Sequence, residues 1–298
     1  MALEQHGAHG TTTAPTPEEV GTMYDRFGDL LAMTLGSTAV HIGMYASHDA
    51  PTPVTTLTAL ADLAQDRQTD FLVDTIGLAA HEHLLDIGCG TGGPAVALAA
   101  RSGGRVTGIT VSRSQLASCQ ARLTEPGPEA LGLADRVDFA YGNAMELAYG
   151  DATFDAAWSI DCLPHLSDRP AGLREALRVL RPGGRFLFTE FALRGTPTDE
   201  EVAAYTRMWT CPPLTPFAKL LAEIEEAGFR VETVRNRTAD AALCGELMCV
   251  LYEDRRGEIG ERFGKEALAY TDPLMVPYRS FCRNHMDYYQ LVVRKPEK

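Results

Sequence analysis

The 298 residues carry 40 acidic and 27 basic side chains, a formal net charge of −13, and 45% of them are hydrophobic. That balance suits a globular protein with one well-formed core, and its acidic field disfavours nucleic acid or an anionic membrane as a partner. The seven cysteines are odd in number and show no C-x-x-C spacing, so they read as buried apolar side chains in a reducing, cytoplasmic setting.

Residues 1–15 contain no apolar run and are expected to form a disordered tail rather than a signal peptide. No later segment approaches the ~20 apolar residues of a membrane span. Thr16-Pro17-Glu18-Glu19 predicts a helix start, with Thr16 as cap, Pro17 at the first position and Glu19 completing a capping box. Residues 16–80 are therefore read as an N-terminal helical arm. Its apolar Val20, Met23, Phe27, Leu30 and Leu31 suit packing on the chain itself or on a second copy, which leaves a homo-oligomer open.

A larger unit is expected over 81–298. Strands are predicted at 83–88, 106–111, 137–142, 154–160, 185–191, 229–236 and 288–295, with helices between most of them. Such alternation implies an α/β, doubly wound, mainly parallel seven-stranded sheet covered on both faces, with its ligand at the carboxyl ends of the strands. Gly88, Ser112, Asn143 and Ser159 all fall there. Segments 192–216 and 238–287 lie outside the alternation and are rich in Met and aromatic residues, among them Tyr205, Trp209, Met248 and Tyr278. They are read as helical lid insertions over an apolar small-molecule pocket. His81-Glu82-His83 offers no further ligands, so no metal site is predicted.

The stretch Leu84 to Pro94 (LLDIGCGTGGP) joins an apolar strand to a helix through a glycine loop. Glycine there permits backbone dihedrals closed to other residues and lets a ligand approach the main chain. Gly88, Gly90 and Gly93 also satisfy G-x-G-x-x-G, but the next strand, Val106 to Ser112, has no carboxylate for a ribose, which weighs against a dehydrogenase. No Gly-Lys-Ser/Thr follows the glycines, which excludes a P-loop.

With Asp86 just before the glycines, the loop resembles the first motif of class I S-adenosylmethionine (SAM) methyltransferases. Val106 to Gln115 is similar to the second motif of the branch containing small-molecule and sterol methyltransferases. Gly142 to Met145 resembles the adenine-contacting turn, with Asn143 where Asp is commoner. Phe154 to Ile160 and Leu180 to Phe186 resemble the fourth strand and the turn into the fifth. Tyr24-Asp25 and Val40 to Tyr45 resemble segments of natural-product O-methyltransferases of the rebeccamycin sugar type, where that region folds over the cofactor. The resemblance implies a Rossmann-like fold, SAM as cofactor, and a binding set of Tyr24, His41, Asp86, Gly88, Gly90, Thr91, Gly92, Ser112, Gln115, Asn143, Ala144, Met145 and Ser159.

For the chemistry, His165 beyond strand four is the candidate base, since its intrinsic pKa is near neutral and a hydroxyl acceptor must lose a proton. By the resemblance, Pro164 stands where the rebeccamycin-type enzymes carry a first histidine, and Glu190 where they carry an Asp. Glu190 is then expected to orient His165 or contact substrate. Oxygen methylation of a small natural product ranks slightly ahead. The alternatives are carbon methylation of a prenyl alkene, with Asp161 and Glu190 stabilising a carbocation, and a SAM-binding scaffold or cyclase that transfers no methyl group. A prenyl diphosphate would call for cations, and the candidates are Arg279, Arg283, His285 and the pair Arg255-Arg256.

Overall fold

The computed structural model describes residues 14–37, 39–46, 53–124 and 132–297. The expected N-terminal tail lies, through residue 13, outside the described residues. Thr16 and Glu19 form the reciprocal capping box that opens α1 (Pro17–Thr34), and α2 (Leu57–Ile76) ends at Gly77, whose φ of 55° closes the helix.

There follow β1 (His83–Ile87), α3 (Gly93–Ser102), β2 (Arg105–Thr110), α4 (Arg113–Thr124), β3 (Val137–Tyr141) and β4 (Phe154–Ser159). After a 3-10 turn at Leu163–His165 come α5 (Arg169–Val179), β5 (Leu180–Leu193), α6 (Asp199–Trp209), α7 (Phe217–Glu226), β6 (Arg230–Asn236), α8 (Thr238–Asn284) and β7 (Met286–Arg294). The strand order is β3-β2-β1-β4-β5-β7-β6, with β7 antiparallel to both neighbours and the other pairings parallel. Strand five starts five residues earlier than the alternation predicts. Its register slips between the pairs Phe154–Leu180 and Ala156–Arg185, where Gly183 takes a φ of 76° and the chain bulges.

Each sheet face is apolar and covered. On one, Leu72 and Ile76 of α2 and Ala95, Leu98 and Ala99 of α3 pack over Leu84, Val106 and Trp158. On the other, Leu173 and Ala176 of α5 and Leu220 and Ile224 of α7 pack over Leu85, Phe154, Phe186 and Phe188. A third cluster lies at the carboxyl edge, where α1, α6 and α8 bring Leu30, Leu31, Tyr205, Met248, Tyr252, Tyr278 and Phe281 together. The apolar face of α1 is thus buried within the chain. Helix α8 doubles back at Gly264, whose φ of 84° and ψ of 169° break the helix. Its halves then face each other, with the Tyr252 hydroxyl 2.6 Å from that of Thr271. Among the described residues, no helix is long and apolar enough to cross a membrane.

Candidate active site

The glycine loop after β1 forms one wall of a cleft of about 710 Å3 at the carboxyl edge of the sheet. Gly88, Gly90, Ile109, Gln115, Asn143, Ala144 and Met145 line it from below, and Pro17, Val20 and Tyr24 of α1 close it from above. Helix α1 sits tightly: a Cβ on Gly21 would lie 2.1 Å from the Val111 carbonyl oxygen. Asp25, which sequence reasoning did not place in the site, anchors it. Its Oδ1 accepts from Ser112 Oγ at 2.6 Å and from the Ser114 backbone N–H at 2.9 Å.

The glycines divide the work. Gly90 has a φ of 55°, and a Cβ there would meet no atom within 4 Å, so its bare backbone faces the cleft. At Gly88 a Cβ would lie 2.4 Å from Cys162 Sγ, and at Gly92 it would lie 2.8 Å from the Phe139 ring. Those two allow close packing, although Gly88 also lines the cleft. Asp86 is buried beside the loop and, with Gly88, Gly90 and Thr91, borders a recess opening under Val40. Burial raises the Asp86 pKa to about 7, opposed in part by the neighbouring Trp158 indole N–H, which faces the carboxylate outside ordinary hydrogen-bond geometry. A buried carboxylate with so weak a donor is costly, and a donor placed in the recess would offset that cost.

A second cavity of about 530 Å3 adjoins the cleft. Phe191, Tyr205, Trp209, Met248, Tyr278 and Met286 line it, so both lid segments supply its walls. Tyr24, Val40, Asp161 and His165 line both spaces and form the wall between them. In that wall the Tyr24 hydroxyl lies 2.9 Å from His165 Nε2. His165 Nδ1 has no hydrogen-bonding partner of ordinary geometry. Burial lowers the His165 pKa to about 4, opposed in part by the nearby Trp209 and Thr210 backbone, so the ring is neutral.

Other predicted residues sit elsewhere. The Glu190 carboxylate does not touch His165. It accepts from the Phe191 N–H at 2.8 Å and faces Arg169 at 3.4 Å, and burial raises its pKa to about 7. Ser159 Oγ donates to the Ile87 carbonyl inside the sheet. His41 borders both the recess and the second cavity, yet its Nδ1 and Nε2 are held by the Ile42 carbonyl and Thr69 at 2.8 and 3.1 Å. Gln115 accepts from Thr110 Oγ1, and Asn143 Oδ1 accepts from the Met145 N–H, which turns the Asn143 amide nitrogen away from that bond. Asp161 is filled by protein donors: Oδ2 accepts from the Ile42 N–H at 2.7 Å, and Oδ1 accepts from Thr189 Oγ1 at 2.5 Å and from the Tyr288 hydroxyl at 2.8 Å.

A parallel sheet with one antiparallel strand inserted beside its edge, a glycine-loop cleft and an adjoining aromatic cavity define a Rossmann-like transferase for a small molecule. Residues 85–188 match the methyltransferase-domain family model. Over 255 residues the chain is 32% identical to the O-methyltransferase resE of Aspergillus sclerotiorum, covering 84% of this chain and 90% of that one. It is 39% identical over 192 residues to the 27-O-demethylrifamycin SV methyltransferase of Amycolatopsis mediterranei, covering 64% and 65% of the two chains. In three dimensions it is similar to the [4+2]-cyclase SpnF, with a TM-score of 0.79, 30% identity and coverage of 97% and 99%. The chain belongs to the SAM-dependent methyltransferases, in the branch of natural-product O-methyltransferases.

Proposed function

We propose that the protein transfers the methyl group of SAM to a hydroxyl of a small, largely apolar natural product in the cytoplasm. The observation that carries this reading is the Tyr24–His165 pair, set in the wall common to the glycine-loop cleft and the aromatic cavity. The buried Asp86 carboxylate bordering the recess and the open backbone at Gly90 fit SAM, whose ammonium supplies a donor. Gly88, Thr91, Gln115, Asn143, Ala144 and Met145 would hold the rest of it, while the Ser112 hydroxyl, buried and bound to Asp25, supports α1 instead. When bound, SAM supplies an electrophilic methyl group.

The chain's own contribution is positioning, exclusion of water and proton removal. The aromatic cavity places the acceptor against the shared wall. The hydrogen bond between Tyr24 and His165 Nε2 fixes the ring, and this pair in the shared wall takes the acceptor's proton. A hydroxyl becomes strongly acidic as its oxygen bonds to methyl, so a base weakened by burial suffices. Glu190 and Asp161, each held by other protein groups, act in the frame around the pair.

Carbon methylation of a prenyl diphosphate finds less support. Arg279 and Arg283 face Glu246, Arg256 pairs with Asp272, and Arg255 donates to the Met33 carbonyl and Thr58. None of these arginines lines the aromatic cavity. The likeness to a [4+2]-cyclase supports a second reading, in which the same cavity folds an acceptor for ring closure without methyl transfer.

The test is incubation of the protein and SAM with a panel of hydroxylated metabolites, following S-adenosylhomocysteine and product mass together. A product heavier by one methylene, with stoichiometric S-adenosylhomocysteine, is the expected result. An isomer of the starting compound without S-adenosylhomocysteine would establish the cyclase reading, and absence of SAM binding would overturn both.

A further inference from the structure

Asp161 is a half-buried carboxylate set in the wall between the cleft and the aromatic cavity. All three of its partners donate. The Ile42 N–H can only donate, and Thr189 Oγ1 accepts from the Asp161 N–H at 2.8 Å, which turns its own hydrogen onto Oδ1. The Tyr288 hydroxyl accepts from Gln68 Nε2 at 3.2 Å and likewise gives its hydrogen to Oδ1. This is the hydrogen-bond pattern of an ionised carboxylate.

None of these donors carries a charge. Among the described residues Asp161 has no ion-pair partner, and His41 and His165 beside it are favoured as neutral rings by burial. Glu190, the other buried acid close by, is faced by Arg169. Desolvation raises the Asp161 pKa, and the three donors act against that shift and select the ionised form, so the wall carries a negative charge with no cation opposite it, partly shielded from solvent.

We propose that Asp161 reads the charge of the cofactor, favouring the sulfonium of SAM over the neutral thioether of S-adenosylhomocysteine, and so promotes release of the spent cofactor. The inference rests on the SAM-dependent reading given above. Methyl transfer removes one positive charge from the cleft, and the attraction to Asp161 ends with it. The same carboxylate disfavours an anionic acceptor in the aromatic cavity.

Asp161→Asn separates charge from architecture. The amide can turn its oxygen to the Ile42 N–H and its NH2 to the Thr189 and Tyr288 hydroxyls, both of which can accept, and Asn tolerates the φ of 53° found here. Calorimetric titration of wild type and variant with SAM and S-adenosylhomocysteine gives the affinity ratio directly. The expected result is a loss of SAM affinity on the order of tenfold, with S-adenosylhomocysteine affinity changed little. Equal losses for both ligands would overturn the inference and leave Asp161 as a strut under Ile42. Should the variant fail to fold, wild type alone decides: sinefungin, with an ammonium in place of the sulfonium, should bind more tightly than S-adenosylhomocysteine, and equal affinity overturns the inference. Failure of wild type to bind SAM or S-adenosylhomocysteine would overturn the cofactor reading itself.

Discussion

The Tyr24 hydroxyl lies 2.9 Å from His165 Nε2, although 141 residues separate the two in the chain. Their rings meet edge to face, with centroids 5.5 Å apart. One comes from the helix that roofs the cleft and the other from the turn after β4, so closing the roof and orienting the base are a single structural event.

His165→Ala is expected to slow methyl transfer about 100-fold or more while leaving SAM affinity within about twofold. Single-turnover rates together with calorimetry check this. Because burial holds the His165 pKa at about 4, the ring stays neutral down to that pH, and the acid limb it sets should fall near 4 rather than 6.5. Tyr24→Phe keeps the ring contact and removes the hydrogen bond, and a smaller loss of roughly tenfold is expected. A near-normal rate in His165→Ala would remove the histidine from the chemistry.

Gly90→Ala and Gly88→Ala should fail in different ways. At Gly90 the added methyl meets no protein atom, so stability should fall only by the cost of a left-handed alanine, about 1–2 kcal/mol, while SAM binding is lost. At Gly88 the methyl collides with Cys162, and loss of stability should dominate. Thermal melts with and without SAM separate the two.

Asp86 is expected to make cofactor binding depend on pH. Its pKa in the free protein is raised to about 7 by burial, so at pH 6 it is mostly protonated and at pH 8 mostly ionised. Only the ionised form attracts an ammonium, so SAM affinity should rise with pH through about 7, and binding below that pH should release a proton. Titrations in buffers of different ionisation enthalpy measure the proton. Asp86→Asn should bind weakly with no such pH dependence. The stability term has the opposite sign: a raised carboxyl pKa contributes stability at low pH that is lost as pH rises through about 7.

Asp25→Ala should release the N-terminal helix from Ser112 and Ser114. Losing hydrogen bonds to a charged group is expected to cost roughly 1–3 kcal/mol, concentrated in α1. Hydrogen exchange of residues 17–34 should quicken while the sheet stays protected, and KM for both substrates should rise.

The sheet and the cofactor end of the site were legible in the sequence because local rules fix them. Short apolar runs, buried on both faces in β1, β2 and β4, set the strands, and a strand-to-helix turn with bare glycines has few meanings in an alternating α/β chain. The start of α1 at Thr16-Pro17 and the turn at Gly88–Gly92 follow from capping and φ preferences that act within a few residues. Pairings between distant segments had no such local signature. Asp25 on Ser112, Asp161 under Ile42 and Tyr24 on His165 arise only when α1 and the 39–46 segment fold across the strand ends. Tertiary structure likewise sent Glu190 to Arg169 and Ser159 into the sheet, because β-strand alternation and a neighbouring guanidinium decide where those side chains end. The sequence determined which chemistry the carboxyl edge can hold, through short-range backbone preferences. Packing of the lids and arm decided which residues meet there, because desolvation and hydrogen-bond satisfaction are settled only in three dimensions.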